Sequence, residues 1–330
     1  MTLVVSYISA KVAIQVADRL VSVSYLGRSE IQPLDECAVK QIVFIGRDGI
    51  CVIGYAGRAF IGCLPTDEWI ANLLTGGAAT RNAEGAGGFA MGDVCKPMDV
   101  GKAMRLICEQ LQGRLKKEDL VQIRAAGFQW NHHGLARPLW YRFDVSDGRI
   151  QSPVMAPRHV TRNGACIMWA GMLAEPERLK HLCQTIVSNE SKVTPSWIAE
   201  QLVDFVRACR APGIGANVSA VTIPNPAMGE SIRCRFFPME RHVIGRKPDI
   251  CPRPEVLRAD DHSQEGREVH HFPWIVGPGG VFPPSCLAGP GMSVNVGGLS
   301  VVFEGLPVSQ DNQVATLCFS RRFQLPRGVQ

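Results

Sequence analysis

Apolar and polar positions begin the chain in short alternating runs and change to a helical period only after about sixty residues. Leu3-Val4-Val5-Ser6-Tyr7-Ile8 is β-branched and apolar enough for a buried strand. Ser9-Ala10-Lys11 suits a tight turn, and Val12-Ala13-Ile14-Gln15-Val16-Ala17 predicts a strand pairing back on the first. That hairpin ends at Asp18-Arg19 and returns Asp18 to the level of Thr2, with Val21-Ser22-Val23 extending the strand. A second hairpin is predicted from Val39–Ile45 and Ile50–Tyr55 around the turn Gly46-Arg47-Asp48-Gly49, ending at Ala56-Gly57.

The period then lengthens. Pro65-Thr66-Asp67-Glu68 predicts a helix start with Thr66 as N-cap and acids in the first turn. Trp69, Ile70, Leu73 and Leu74 follow, up to Gly76-Gly77. Residues 76–93 are rich in Gly and Ala and read as a flexible excursion. A second helix spans about 97–117, with Val100, Met104, Ile107 and Leu111 on one face. Strands are predicted near Gln122–Trp130, Pro138–Val145, Arg149–Pro153 and Ala165–Trp169, and a third helix at 175–189. Thr194 caps a fourth helix, Pro195 occupies its first position, and Ile198, Leu202, Phe205 and Cys209 form its stripe. Asn217–Ile223 closes the regular part.

This order predicts an α+β fold, a four-layer α/β/β/α sandwich over residues 2–226, because each sheet must bury one face on the other and one under helices. Residues 1–226 form one domain in this reading. Residues 227–330 read as a Pro/Gly-rich, loop-rich extension draped over an outer face or a neighbouring subunit, with strand-like pieces at 293–296, 299–304 and 314–319.

Composition narrows the class. The chain has 330 residues, 46% of them hydrophobic and 20% charged, as a globular core requires. A net charge of +5, with scattered basic residues, gives no footprint for nucleic acid. No secretory signal and no run of membrane-spanning length is seen, so no membrane partner is expected. The twelve cysteines sit singly without CxxC spacing; Cys51, Cys108, Cys166, Cys183 and Cys318 lie in apolar runs, as in a reduced cytoplasmic protein. Cys234, His242, Cys251, His262, His270 and His271 match no zinc template, so neither metal nor cofactor is expected. GPGGVFPP and GPGMSVNVGG lack the lysine and helix of a phosphate loop and read as turns; His132-His133 read as a solvated loop pair, Trp69 and Trp197 as core.

Three stretches resemble the proteasome-type branch of the N-terminal-nucleophile hydrolases, which includes the bacterial HslV-type peptidases. Thr2, which removal of Met1 would expose, heads the strand LVVSY. VAIQVADR is similar to that family's apolar strand ending in Ala-Asp, with Asp18 sixteen residues after Thr2. VKQIVFIGRDGICVIGYAG is similar to its lysine-bearing strand, hairpin and Ala-Gly. The resemblance covers residues 2–226 and implies a threonine-type peptidase cutting peptides or unfolded protein. It further implies a self-assembled homo-oligomeric ring, on which an unfolding ATPase could dock. Two alternatives share the fold: an inactive proteasome-like assembly protein, and a small-substrate amidase with the same nucleophile.

The chemistry accounts for the residue types. A threonine hydroxyl needs an adjacent base, and the α-amine of an N-terminal threonine, with a pKa of about 7.7–8.0, lies within reach. A buried lysine favours the deprotonated nucleophile, and an aspartate must pair that lysine. Backbone N–H groups receive the oxyanion, where glycine permits close approach. By the resemblance, Thr2 is nucleophile and base, Asp18 the orienting acid, Lys40 the positive charge and Gly57 the oxyanion donor.

The chain departs from the family at four places. The family lysine aligns with Gln41 as naturally as with Lys40, and a one-residue shift in a strand sends the side chain to the other face. Lys40 therefore needs a bulge or a different pairing to reach the site. Asp18 and Arg19 are adjacent, where the family usually separates the two by one residue. Trp169-Ala170-Gly171 stands where the family often has Gly-Ser-Gly, and only Asn217 and Ser219 offer polar groups before the last strand.

Overall fold

The computed structural model describes residues 2–24, 31–35, 38–79, 90–91, 98–116, 119–130, 135–150, 154–159, 164–209, 214–237, 273–278, 280–282, 293–296 and 298–304. The first hairpin is β1 (Leu3–Ser9) and β2 (Val12–Asp18), paired antiparallel with Val4 opposite Ala17. Leu20 N–H turns back to the Asp18 carboxylate, so the chain leaves the strand there. β3 (Val21–Ser24) therefore does not extend β2; it pairs with β4 (Ile31–Asp35) in a separate ribbon. The second hairpin is β5 (Gln41–Ile45) and β6 (Gly49–Gly57), followed by the short pair β7 (Phe60–Ile61) and β8 (Leu64–Pro65).

Helix α1 (Thr66–Leu74) follows directly. Thr66 is not its cap: it is already helical, and its hydroxyl donates to the Arg58 carbonyl at 2.8 Å. Of the acids in its first turn, Asp67 accepts a hydrogen bond from the Trp274 indole at 3.0 Å. The Gly/Ala-rich stretch contributes β9 (Ala90–Met91), and residues 80–89 and 92–93 lie outside the described residues. Helix α2 (Val100–Gln112) buries Val100, Met104, Ile107 and Leu111 as its period predicts.

The long hairpin β10 (Leu120–Trp130) and β11 (Ala136–Ser146) leads to β12 (Arg149–Ile150), β13 (Val154–His159) and β14 (Ala165–Gly171). Helices α3 (Pro176–Asn189) and α4 (Pro195–Ala208) come next, the latter capped by Thr194, whose hydroxyl accepts from Trp197 N–H. β15 (Val218–Pro224) completes the part that sequence periodicity outlines.

The described residues after Pro226 are built into the sheets. β16 (Ile232–Phe237), β19 (Ser293–Val296) and β20 (Leu299–Glu304) lengthen one sheet, and β17 (Trp274–Gly277) and β18 (Gly280–Phe282) the other. Seven strands run β14-β1-β2-β15-β16-β20-β19, and nine include β12-β11-β10-β6-β5-β17-β18-β9 with β13 on β11. Both sheets are consequently mixed, because β20 joins β16 and β17 joins β5 in parallel. Parallel neighbours require long connections, and the chain between these strands supplies them. Residues 314–319, the other strand expected there, lie outside the described residues, as do His132, His133 and the histidines from His242 to His271.

The molecule is thus α+β, with two large sheets. One apolar cluster joins α1 and α2 to the nine-stranded sheet through Ile70, Leu74, Met104, Ile123 and Phe143. A second, with Ile8, Val43, Val52, Phe128 and Val221, fills the space between the sheets. A third, with Val5, Ile14, Leu179, Leu202 and Val206, joins α3 and α4 to the seven-stranded sheet. Trp69 belongs to the first and Trp197 packs on the third, as core side chains do. Among the described residues no helix is long and apolar enough to cross a membrane.

Candidate functional site

At one end of the inter-sheet space the apolar filling gives way to small and polar residues. Alternation along β1 sends Leu3, Val5 and Tyr7 under the helices and Val4, Ser6 and Ile8 toward the other sheet, and Thr2 precedes β1 in the second phase. Around it Val4, Ala17, Ala56 and Ala170 form a fully buried cluster of small side chains. Thr2 itself is 7% exposed.

Asp18, fully buried, organises this end. One carboxylate oxygen accepts from the Leu3 N–H at 2.7 Å, the amide that follows Thr2. The other accepts from Lys40 Nζ at 3.0 Å and from the N–H groups of Leu20 and Gly215, each at 3.1 Å. Three backbone donors and an ammonium offset the desolvation that a buried carboxylate suffers. Gly215 can approach because it lacks a side chain: a Cβ there would lie 2.6 Å from the Leu20 Cβ.

Lys40 reaches Asp18 by a different pairing. β5 begins at Gln41, and before it the chain crosses to Arg19, whose carbonyl accepts from Ala38 N–H at 3.0 Å. Lys40 thus stands just before the regular strand, keeping a ladder bond from Tyr55 N–H to its carbonyl at 3.2 Å, and its ammonium also donates to the Leu20 carbonyl at 2.5 Å. Gln41, on the regular strand, turns between the sheets, donates to the Gln15 carbonyl at 2.8 Å and accepts from Ser219 at 2.8 Å. Arg19, directly after Asp18, points elsewhere: its Nε donates to the Ala38 carbonyl, and its guanidinium lies 4.5 Å from the centre of the Phe236 ring.

Gly57 ends β6 with φ +105°, where a Cβ would fall 2.0 Å from the Leu120 carbonyl oxygen, so only glycine fits. Tyr55 N–H donates to Lys40 and Arg58 N–H to Leu120. Alternate amides of a strand serve opposite neighbours, so Gly57 N–H points to the β5 side, beyond the start of that strand. Gly171 joins the two halves. Its φ is +90°, a Cβ would come 1.6 Å from the Thr2 carbonyl oxygen, and Ala56, beside Gly57, is its next neighbour. Thr2, Asp18, Lys40 and Gly57 thus converge at one end of the sheets. Asn217 contributes its carbonyl to Arg19 N–H, and Ser219 is engaged with Gln41.

Periodicity gave no signal for three participants: Gly215, Gly171 and Gln122, whose side-chain carbonyl accepts from Gly171 N–H at 2.6 Å. Glycine at the end of a strand was the visible clue for Gly171. Among the described residues no cluster of His, Cys, Asp and Glu could hold a metal ion. A scan of the sequence against protein-family models and a search of curated proteins found no match.

Proposed function

We propose that the chain is a threonine-type peptidase in which Thr2, made N-terminal by removal of Met1, attacks the peptide bond. The observation that carries this reading is the buried Asp18–Lys40 pair, with Asp18 bonded to the amide adjoining Thr2. The Thr2 hydroxyl proton passes to the freed α-amine as the oxygen attacks the carbonyl carbon. Gly57 N–H faces the oxyanion, and the proton leaves on the departing amine. An ester at Thr2 remains, which water hydrolyses.

Two sheets, each with helices on its outer face, support the four-layer α/β/β/α sandwich of the N-terminal-nucleophile type. The free thiols of the described cysteines agree with a reducing, cytoplasmic setting. Peptides or unfolded protein are the substrates in this reading, and a homo-oligomeric ring, with an unfolding ATPase as partner, is the working form. A second reading, an assembly protein without turnover, is favoured by Ala170 in the place of a supporting hydroxyl and by Ser219 being engaged with Gln41.

The mass of the mature chain and its hydrolysis of fluorogenic peptide amides decide between the two. Loss of Met1 together with turnover that Thr2→Ala abolishes is expected. Retained Met1, or equal turnover in Thr2→Ala, overturns the peptidase reading.

A further inference from the structure

Beside Thr2 the two sheets are tied by a side-chain device with a strand's own spacing. Among the described residues β14 is the edge of the seven-stranded sheet, and an edge presents backbone groups that require partners. The backbone groups of Ala170 in β14 and of Met172 just after it face β1, where Met172 N–H donates to the Thr2 carbonyl at 3.1 Å. The backbone groups of Trp169 and Gly171 that Arg124 and Gln122 meet point away from β1. Two side chains of β10, in the other sheet, take the place of the missing strand. Gln122 Oε1 accepts from Gly171 N–H at 2.6 Å, and Arg124 Nε donates to the Trp169 carbonyl at 2.6 Å. Gln122 and Arg124 are two residues apart and so share a face of β10, matching the two-residue step from 169 to 171.

The tie falls where the site is divided. Thr2 and Asp18 belong to the seven-stranded sheet, whereas Gly57 and the lead into β5 that bears Lys40 belong to the other. Gln122 stands opposite Ala56, next to Gly57, and its partner Gly171 abuts the Thr2 carbonyl. We propose that Gln122 is a positioning residue that acts through Gly171 to fix the Thr2 hydroxyl relative to the Gly57 N–H. This rests on the peptidase reading above. Arg124 carries the same tie but is a buried charge anchored on Asp144 at 2.6 Å, so its loss would report on folding instead. Gln122 is uncharged and only partly buried.

The test compares Gln122→Met and Gln122→Glu with the wild type. It measures hydrolysis of fluorogenic peptide amides, acylation of Thr2 by a peptidyl β-lactone followed by intact mass, thermal unfolding and exchange of the Gly171 amide. Misplacing reacting groups by about 1 Å costs on the order of 100-fold. For Gln122→Met we expect kcat to fall about 10- to 100-fold with KM within about twofold. Its Tm should lie near that of the wild type, with faster exchange at Gly171. Gln122→Glu keeps an acceptor of equal reach and should restore kcat to within about threefold. If Gln122→Met does not fold, Gln122→Asn, with the amide one methylene short, carries the same expectation. Wild-type kcat in the variant without an acceptor overturns the proposal, as does a loss in both Met and Glu variants that follows the loss of folded protein. A wild type that is never acylated at Thr2 overturns the peptidase reading first; equal acylation of wild type and Gln122→Met overturns only the role of Gln122.

Discussion

The two ends of the inter-sheet space are held by different forces. Far from Thr2, Ile8, Ile50, Val52, Phe128, Met168, Phe282 and Phe303 fill it with apolar volume. Near Thr2 the filling is Val4, Ala17, Ala56 and Ala170, and the contacts are directional. Gln15 Nε2 donates to Ser6 Oγ at 2.9 Å and to the Arg124 carbonyl at 3.1 Å, and Gln41 binds the Gln15 carbonyl. Gly54 leaves the space Gln15 occupies, since a Cβ there would lie 2.4 Å from Gln15 Oε1. Apolar burial is strong but non-directional, whereas a hydrogen bond adds about 1 kcal/mol net and fixes a distance. The apolar end holds the sheets together; the polar end sets where each lies against the other.

Removing the strands after Pro226 should break this division most severely. Ile232, Cys234, Ile275, Val281, Phe282, Val301 and Phe303 leave the core with them. At about 1.5–3 kcal/mol for each large buried side chain, the loss rivals a total stability of about 5–15 kcal/mol. A chain ending at residue 226 should be insoluble or melt without a cooperative transition; a soluble, sharply melting product would show the strands to be an ornament. Thr2→Ala comes next, lowering turnover by about 1000-fold or more with Tm little changed, while Thr2→Ser should retain measurable hydrolysis.

Within the polar end, Asp18→Ala strands the buried Lys40 and should cost about 3–5 kcal/mol in urea unfolding. Lys40→Met should cost less, because Asp18 keeps three backbone donors. The reverse order would mean that the ammonium, not the carboxylate, organises the site. Phe128→Ala should also cost about 3–5 kcal/mol yet leave kcat of the folded fraction intact. Ser219→Ala should cost only about 1 kcal/mol and lower kcat, since Gln41 loses one of its two side-chain hydrogen bonds. Equal effects on kcat from the two would erase the contrast between the ends.

The effect that is smallest at neutral pH concerns the thiols. Exposed Cys63 should react with a thiol reagent at once, and Cys51, Cys108 and Cys234 only on unfolding. Burial pushes the Cys108 thiol up to about 11, while in an unfolded chain it titrates near 8.5. The unfolded state therefore releases the proton first, and stability should decline as pH rises from about 8.5 toward 11. A urea midpoint constant over that range contradicts this.

The four segments that bring Thr2, Asp18, Lys40 and Gly57 together were legible because each is local: two hairpins whose alternation reads directly from residues 3–17 and 39–57. Lys40 against Gln41 was not decidable that way, because the answer lies in where β5 begins, and Ala38 pairing with Arg19 sets that. Thr66 looked like a cap by type, but the preceding short strand pair already turns the chain into the helix. The strands after Pro226 are short, separated by long connections and partly joined in parallel, so no turn announces their partners. The tie from Gln122 to Gly171 joins residues 49 apart on different sheets, a relation without a period.

The late strands also bear on the order of synthesis. After β15 the chain adds β16 to the seven-stranded sheet, crosses to add β17 and β18 to the nine-stranded one, and returns with β19 and β20. Val301 and Phe303, the last described contributors to the inter-sheet core, come some three hundred residues after Thr2. A ribosome adds roughly 5–20 residues each second, so the first hairpin waits about 15–60 seconds for the strands that complete its sheet. Throughout that wait the sheet ends in an open edge, first β2, then β15 and then β16, able to pair with another nascent chain. Protein made on crowded polysomes should therefore be the more aggregation-prone, and slower translation of residues 227–304 should worsen it.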